Sequence, residues 1–443
     1  MVYKADTKFI IIICVMISFI LSSLKDLKEF FLRSRSWVVK GGWAITDQAF
    51  FSGANFLVNI LLARWLPPKE YGAFVVALSV FYLLAGFHTA VITEPMMVFG
   101  AGKYREQFRK YFGMVLWGHW GVSVLIALGL GVAAWTFFQL DMFSMAEALF
   151  GLAVASPFLL LFWLTRRACY SQLSPIWAVV GSGINSVVIF SGAFLLWWSK
   201  LLSAFSGLIL LGAAASIASL MLLLHFRPQF LRFTGNPTPA MVISEHRSYG
   251  SWILTAALFY SASNQVLQLL ISIVLGLTAS ATVAAVMNLY RPINLLIGSL
   301  SLILLPTFSS WVKKGLSTEI LRKHVLTAVA LITIFILLYV TALTLFAKPL
   351  VNWIYAGKYG EHWELVGLIG LVTILNAIIG VFVIFLKAKT YTREVASIRA
   401  LSAVISLPLA IPLMKILGIE GAFFAVIVGL IVCVIVTYRK SFS

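Results

Sequence analysis

Residues 47–72 read DQAFFSGANFLVNILLARWLPPKEYG. The stretch is apolar enough to span a bilayer, yet it carries a polar stripe. Gln48, Ser52, Asn55 and Asn59 follow one another at spacings of 4, 3 and 4, which is one face of an α-helix. Lipid offers such a face nothing, because an amide in hydrocarbon must find a hydrogen-bond partner. The stripe is therefore expected against other helices or a water-filled cavity. It returns at a constant offset of 209 residues in YSASNQVLQLLIS (260–272), where Ser261, Asn264, Gln268 and Ser272 repeat Ser52, Asn55, Asn59 and Ala63. A chain that carries this helix twice reads as two copies of one membrane unit.

The composition agrees. Of 443 residues, 61% are hydrophobic and 11% charged, and the mean hydropathy is +1.00. Soluble domains are nearer half apolar and a quarter charged, so the chain reads as an integral membrane protein. A net charge of +18 would suit nucleic acid in a soluble protein. Here it sits in short loops, where it suits anionic lipid headgroups, and no nucleic-acid partner is expected. The three cysteines, Cys14, Cys169 and Cys433, lie in or beside apolar runs and form neither a disulfide framework nor a zinc spacing.

Residues 1–40 hold a short apolar run (9–24) and a basic, aromatic linker, KDLKEFFLRSRSWVVK (25–40). The run is either an extra N-terminal helix or a translated extension ahead of the working protein. Twelve spans follow. In the first half they are 41–63, 71–93, 112–138, 146–165, 176–197 and 203–224. In the second half they are 250–276, 280–305, 325–347, 364–386, 396–414 and 419–438. The Pro-containing segment 225–249 links the halves, and 439–443 is a tail. The expectation is an all-α polytopic protein with a twelve-helix core in two pseudo-symmetric six-helix lobes. Assigning the linker before residue 41 to the inside places 24 Lys and Arg on inner segments against six outside, so both ends of the core are expected in the cytoplasm. Each lobe's second span also ends in a proline, Pro95 or Pro306, followed by a basic loop. Parallel repeats of this kind are typical of transporters that rock two halves about a central site.

No phosphate-binding glycine loop, metal-ligand cluster or acidic catalytic cluster is present in the sequence, so no enzyme is expected. Arg291, in ATVAAVMNLYRPINLLIGSL, lies near the middle of its span, where a cation costs about 2.5–3.5 kcal/mol. Pro292 behind it is expected to kink the helix. The guanidinium could hold a phosphate or an acidic sugar, or pair internally. Asp47, about two turns into the first span, could pair with Arg291 across the lobes or carry a coupling proton or sodium ion; its bland reading is a hydrated carboxylate near the interface. Glu94 is a second acid at a span end. Asn55, Asn59, Asn264 and Gln268 are candidates for sugar contacts, with helix–helix hydrogen bonding as the alternative. His88 and His119 could titrate near neutral pH, although lone histidines on Gly- and aromatic-rich helices are more often packing residues.

The stretch SGANFLVNILLARWLPPKEYGAF (52–74), followed by EPMM (94–97) and a basic loop, resembles the polysaccharide transporter family. These are the O-antigen, capsule and exopolysaccharide flippases of the multidrug/oligosaccharidyl-lipid/polysaccharide exporter (MOP) superfamily. The resemblance implies a bacterial inner-membrane protein that moves undecaprenyl-pyrophosphate-linked glycan from the cytoplasmic to the outer leaflet. Membrane lipids and other polysaccharide-assembly proteins would be its partners, and it would need no cofactor beyond a coupling ion. A cationic cavity would hold the pyrophosphate, and Arg291 is the sole Lys or Arg placed deep in an expected span. The rivals are an organic-cation exporter of the same superfamily and a polysaccharide polymerase or ligase.

Overall fold

The computed structural model describes residues 35–230, 235–389 and 391–442. The apolar run 9–24 lies outside them. In chain order the helices are α1 (Arg35–Trp65), α2 (Pro68–His88), α3 (Glu94–Ala101), α4 (Phe108–Gln139), α5 (Phe143–Ser171), α6 (Pro175–Trp198) and α7 (Ala204–Phe226). The second half has α8 (Pro239–Leu275), α9 (Leu277–Asn288), α10 (Arg291–Lys313), α11 (Thr318–Leu345), the short α12 (Ala347–Tyr355), α13 (Leu365–Ala388), α14 (Thr392–Leu417) and α15 (Ile419–Phe442). A π-helical turn, Thr89–Thr93, joins α2 to α3. Nine stretches among the described residues are long and apolar enough to cross a membrane. The passages α1, α8 and α9–α10 complete a twelve-span order.

Local chemistry sets several boundaries. Pro67 and Pro68 stop α1 and open α2, since a proline in the first turn gives up only an N–H that is unpaired anyway. The break between α9 and α10 falls at Leu289–Tyr290. Pro292 has no N–H to give the Asn288 carbonyl, so the helix ends and restarts with Arg291 at its head. α5 runs to Ser171, six residues beyond the expected span end, and carries Arg166 buried inside the bundle. The expected span 146–165 put Arg166 among the basic residues of an inner loop, whereas it is a helix residue of the bundle interior. α8 starts at Pro239, within the segment read as a linker, with Thr238 capping its first turn.

The first six passages form one lobe and the last six the other. α2 crosses the seam and packs along α8 and α9. Gly72 permits this, because a Cβ there would lie 1.9 Å from the Leu277 carbonyl oxygen. The two ends of the bundle differ. At the end holding the α1–α2 turn, called here the far end, one apolar core joins the lobes, with Leu62, Leu66 and Phe74 packed in the same cluster as Tyr355, Val366 and Ala422. At the end holding Lys103, Arg105, Lys313 and Lys314, called the basic end, the described core divides. Met96, Phe108, Phe112 and Phe226 belong to one lobe, and Phe308, Phe382 and Phe385 to the other.

Candidate functional site

A cavity of about 440 Å³ lies inside the first lobe and reaches the seam. α1 lines it with Phe51, Ser52 and Asn55, and α2 with Phe81 and Tyr82. Trp163 from α5 and Asn185 from α6 extend the wall, while the first turn of α10 closes it with Arg291 and Asn294. Arg291 is the one charged side chain among the described lining residues. Its Nη1 donates to the Asn55 carbonyl at 3.4 Å, a long bond and the one that its guanidinium makes among the described residues. Breaking the helix just before Arg291 puts its head in the cavity wall.

The α1 stripe divides its work. Asn55 faces the cavity, but its Nδ2 bonds the Phe51 carbonyl at 2.8 Å. Asn59 is buried beyond the cavity and bonds the Asn55 carbonyl at 2.7 Å. Amides that donate to their own helix keep a side-chain oxygen as acceptor. In the second lobe Gln268 does not reach the cavity: its Nε2 donates to Ser280, at 2.8 Å to the carbonyl and 2.5 Å to the hydroxyl, tying α8 to α9. The Asn264 side chain lies outside the described residues.

Asp47 is wholly buried and meets Arg166, not Arg291. Arg166 Nε donates to both carboxylate oxygens at 2.9 Å, and its Nη2 stands 2.7 Å from Oδ2. Ser182 donates at 2.5 Å and Tyr170 also donates to Oδ2. Arg166 reaches Gln48 Oε1 at 2.9 Å and stacks 4.2 Å from the Phe51 ring centroid. Asp47 and Arg291 remain apart because both Asp47 and Arg166 belong to the first lobe, where α1, α5 and α6 enclose them. Glu94 follows the π turn, half-buried and without an ion pair among the described residues.

Two seams flank the cavity. At the far end Arg64 Nη1 donates to the Trp353 and Ile354 carbonyls at 2.6 and 2.9 Å, and Lys358 Nζ donates to the Arg64 and Leu66 carbonyls at 2.6 and 2.7 Å. Each cation caps the last turn of the other lobe's helix, whose carbonyls have no partner within the helix. Asn288 Nδ2 donates to the Tyr71 hydroxyl at 3.0 Å just inside this clasp. Burial beside the Arg64 cation holds the Lys358 ammonium below the usual lysine range. Towards the basic end the start of α8 rests on the first lobe. Glu245 accepts from Lys103 and from Tyr104 (2.8 Å), and His246 meets Tyr111 at 2.8 Å and the Val91 carbonyl at 3.1 Å. Burial works against the Glu245 charge, but the Lys103 and Tyr104 hydrogen bonds outweigh it and hold the carboxyl below its usual range. Burial lowers His246, opposed in part by its bond to Val91.

No family model matches the chain. It is 24% identical over 341 residues to the succinoglycan biosynthesis transport protein ExoT of Rhizobium meliloti (strain 1021), a match that covers 74% of this chain and 65% of ExoT. The chain thus spans somewhat less than two thirds of that relative's length. Among solved structures, an inward-facing multidrug resistance MATE family transporter of the MOP superfamily superposes with a TM-score of 0.74 at 12% identity, covering 90% of this chain and 97% of that one. The lipid II flippase MurJ, in an inward closed conformation, gives 0.69 at 15% identity, over 90% and 87%. The chain has the fold of MOP-superfamily transporters, and its relatives are transporters and flippases rather than enzymes.

Proposed function

We propose that this protein is a flippase that carries polyprenyl-pyrophosphate-linked oligosaccharide from the cytoplasmic to the outer leaflet of the bacterial inner membrane, for surface or exopolysaccharide assembly. The observation that carries the reading is the cavity: a single cation at the seam, facing amides and aromatic rings. Arg291 offers a fork suited to a phosphate. Ser52, Asn55, Asn185 and Asn294 offer groups for sugar hydroxyls, and Trp163 and Tyr82 offer faces on which a sugar ring can stack. The similarity to a succinoglycan transport protein supports a glycan cargo.

Alternating access follows from the seams. With the far end clasped by Arg64 and Lys358 and the cores separate at the basic end, substrate would enter from the basic end, taken as cytoplasmic. Rocking would then exchange the far clasp for contacts between the basic loops. An organic-cation exporter of the same fold would want an anion where Arg291 stands. The test is lipid extraction from a strain lacking the gene. Accumulated polyprenyl-linked oligosaccharide on the inner face, restored to normal by wild-type protein but not by Arg291→Ala at equal protein level, is the expected result. A normal lipid profile with lost dye resistance would sink the flippase in favour of the exporter.

A further inference from the structure

His88, the last residue of α2, and His119, in the middle of α4, are both fully buried. His88 Nε2 and His119 Nδ1 lie 2.9 Å apart, with the rings at 90°. One N–H and one lone pair satisfy that bond. Whichever ring donates, one further N–H and one further lone pair are left over, on His88 Nδ1 and His119 Nε2, and neither has a partner among the described residues. The Thr93 hydroxyl oxygen, in the same π turn, is also without a partner among the described residues. Each unmade bond in such surroundings is a cost to the fold. Packing alone would be served better by two apolar rings, so a pair of imidazoles here calls for another role.

The pair sits where the lobes communicate. His88 opens directly into the π turn Thr89–Thr93, a form that often marks functional positions. Val91 in that turn offers its carbonyl to His246 of α8. α8 also presses Gly250 against the turn, where an added Cβ would stand 3.0 Å from the Ala90 carbonyl oxygen. A change in charge at His88 is thus two and three residues from Ala90 and Val91, the surface that supports the second lobe's first helix. Among the charged and titratable side chains on the elements packed around the turn are Tyr82 on α2, Glu94 on α3, Arg109, Lys110 and Tyr111 on α4, Arg166, Arg167, Cys169 and Tyr170 on α5, and Glu245, His246, Arg247 and Tyr249 on α8. Among the described residues none of them bonds or pairs with either ring of the couple.

We propose that His88 and His119 form a proton-binding site, and that its occupancy is passed to α8 through the π turn. With no carboxylate to match it, an added proton is stable only when water reaches the pair. The sealed state seen here therefore holds the pair neutral, and a state that admits water would hold one proton shared between the two rings. Asp47 cannot serve in the same way, because its oxygens already accept from Arg166, Tyr170 and Ser182. The binding rests on geometry alone, and only its use in coupling rests on the transport reading, so a failed glycan assay leaves it standing.

The test is histidine-labelled full-length protein in liposomes, followed by ring-nitrogen magnetic resonance over about pH 5–8. A shared one-proton titration should appear that is absent from His88→Gln and His119→Gln. His119 also contacts Trp120, ring centroids 5.2 Å apart, so acidification should quench a component of emission that Trp120→Phe removes. Backbone hydrogen exchange in the turn and in the first turns of α8 should rise several-fold on acidification in the wild type but not in His88→Gln. Rings neutral across the whole range would overturn the site. Titration with unchanged exchange would overturn its transmission to α8. If the Gln variants fail to reconstitute, the wild-type titration and the Trp120→Phe difference still decide.

Discussion

Asp47 and Arg291 both carry charge into an apolar bundle, and they are housed in opposite ways. Asp47 is sealed, with a bidentate arginine, a serine and a tyrosine on its oxygens. Arg291 is half-buried on a cavity wall with, among the described residues, one long bond to a carbonyl. A matched buried pair ties helices together and becomes costly when one partner is removed. An incompletely bonded cation facing a cavity is instead available to a ligand. The difference separates a residue that builds the lobe from one that faces the cavity, although both looked alike as charges within spans.

The largest expected effect breaks the sealed pair. Asp47→Ala or Arg166→Ala should destabilise the protein by about 3–5 kcal/mol, because each strands the other's charge. Thermal unfolding in detergent measures this, and the double change to a neutral pair should recover part of the loss. Arg291→Ala should do the reverse, leaving unfolding within about 0.5 kcal/mol of wild type, as for sites outside packed networks, while abolishing complementation of polysaccharide export. Arg291→Lys should restore export only in part, since an ammonium lacks the planar fork. If Arg291→Ala proves as unstable as Asp47→Ala, the contrast collapses.

A smaller effect concerns the far clasp. Arg64→Ala and Lys358→Ala each remove two hydrogen bonds from a charged donor, worth about 1.5–3 kcal/mol each in general and less at a partly exposed seam. The double variant should raise the labelling rate of a cysteine at Asn288 by an impermeant maleimide several-fold. Gly72→Ala should act the same way by pushing α2 off Leu277. The smallest effect is pH-dependent and lies where α8 meets the first lobe. Glu245 and His246 both sit below their usual ranges. A lowered group stabilises above its unfolded value, and that stability is lost as pH falls through the folded value. The start of α8 should therefore loosen on acidification, read as faster proteolysis of residues 225–249. Glu245→Gln should remove the part of the response lying at carboxylate pH, and a profile unaltered by it would discount that seam.

Some of this architecture was legible in the residues. The polar stripes at a 209-residue offset, the long apolar runs and the proline-ended second spans were enough for twelve helical passages in two lobes, because a bilayer forces apolar segments to satisfy their backbones as helices. Arg291 stood out as a lone charge in an apolar run, and Pro292 foretold the break behind which it sits. Arg166 was missed because two adjacent arginines at the end of an apolar segment look like a loop. Tyr170, four residues on from Arg166 along the same helix, was the one faint signal, while Ser182 comes from the next helix.

What the amino-acid sequence determined by itself was which face of each helix is polar, since periodicity depends only on the chain's own turn. What the tertiary structure decided was which neighbour that face meets. Asp47 finds Arg166 across 119 positions, Gln268 turns to Ser280 instead of the cavity, and two histidines that read as packing meet nitrogen to nitrogen. The far clasp left no trace in the residue pattern, because its acceptors are backbone carbonyls, which every residue has and only a helix end leaves free.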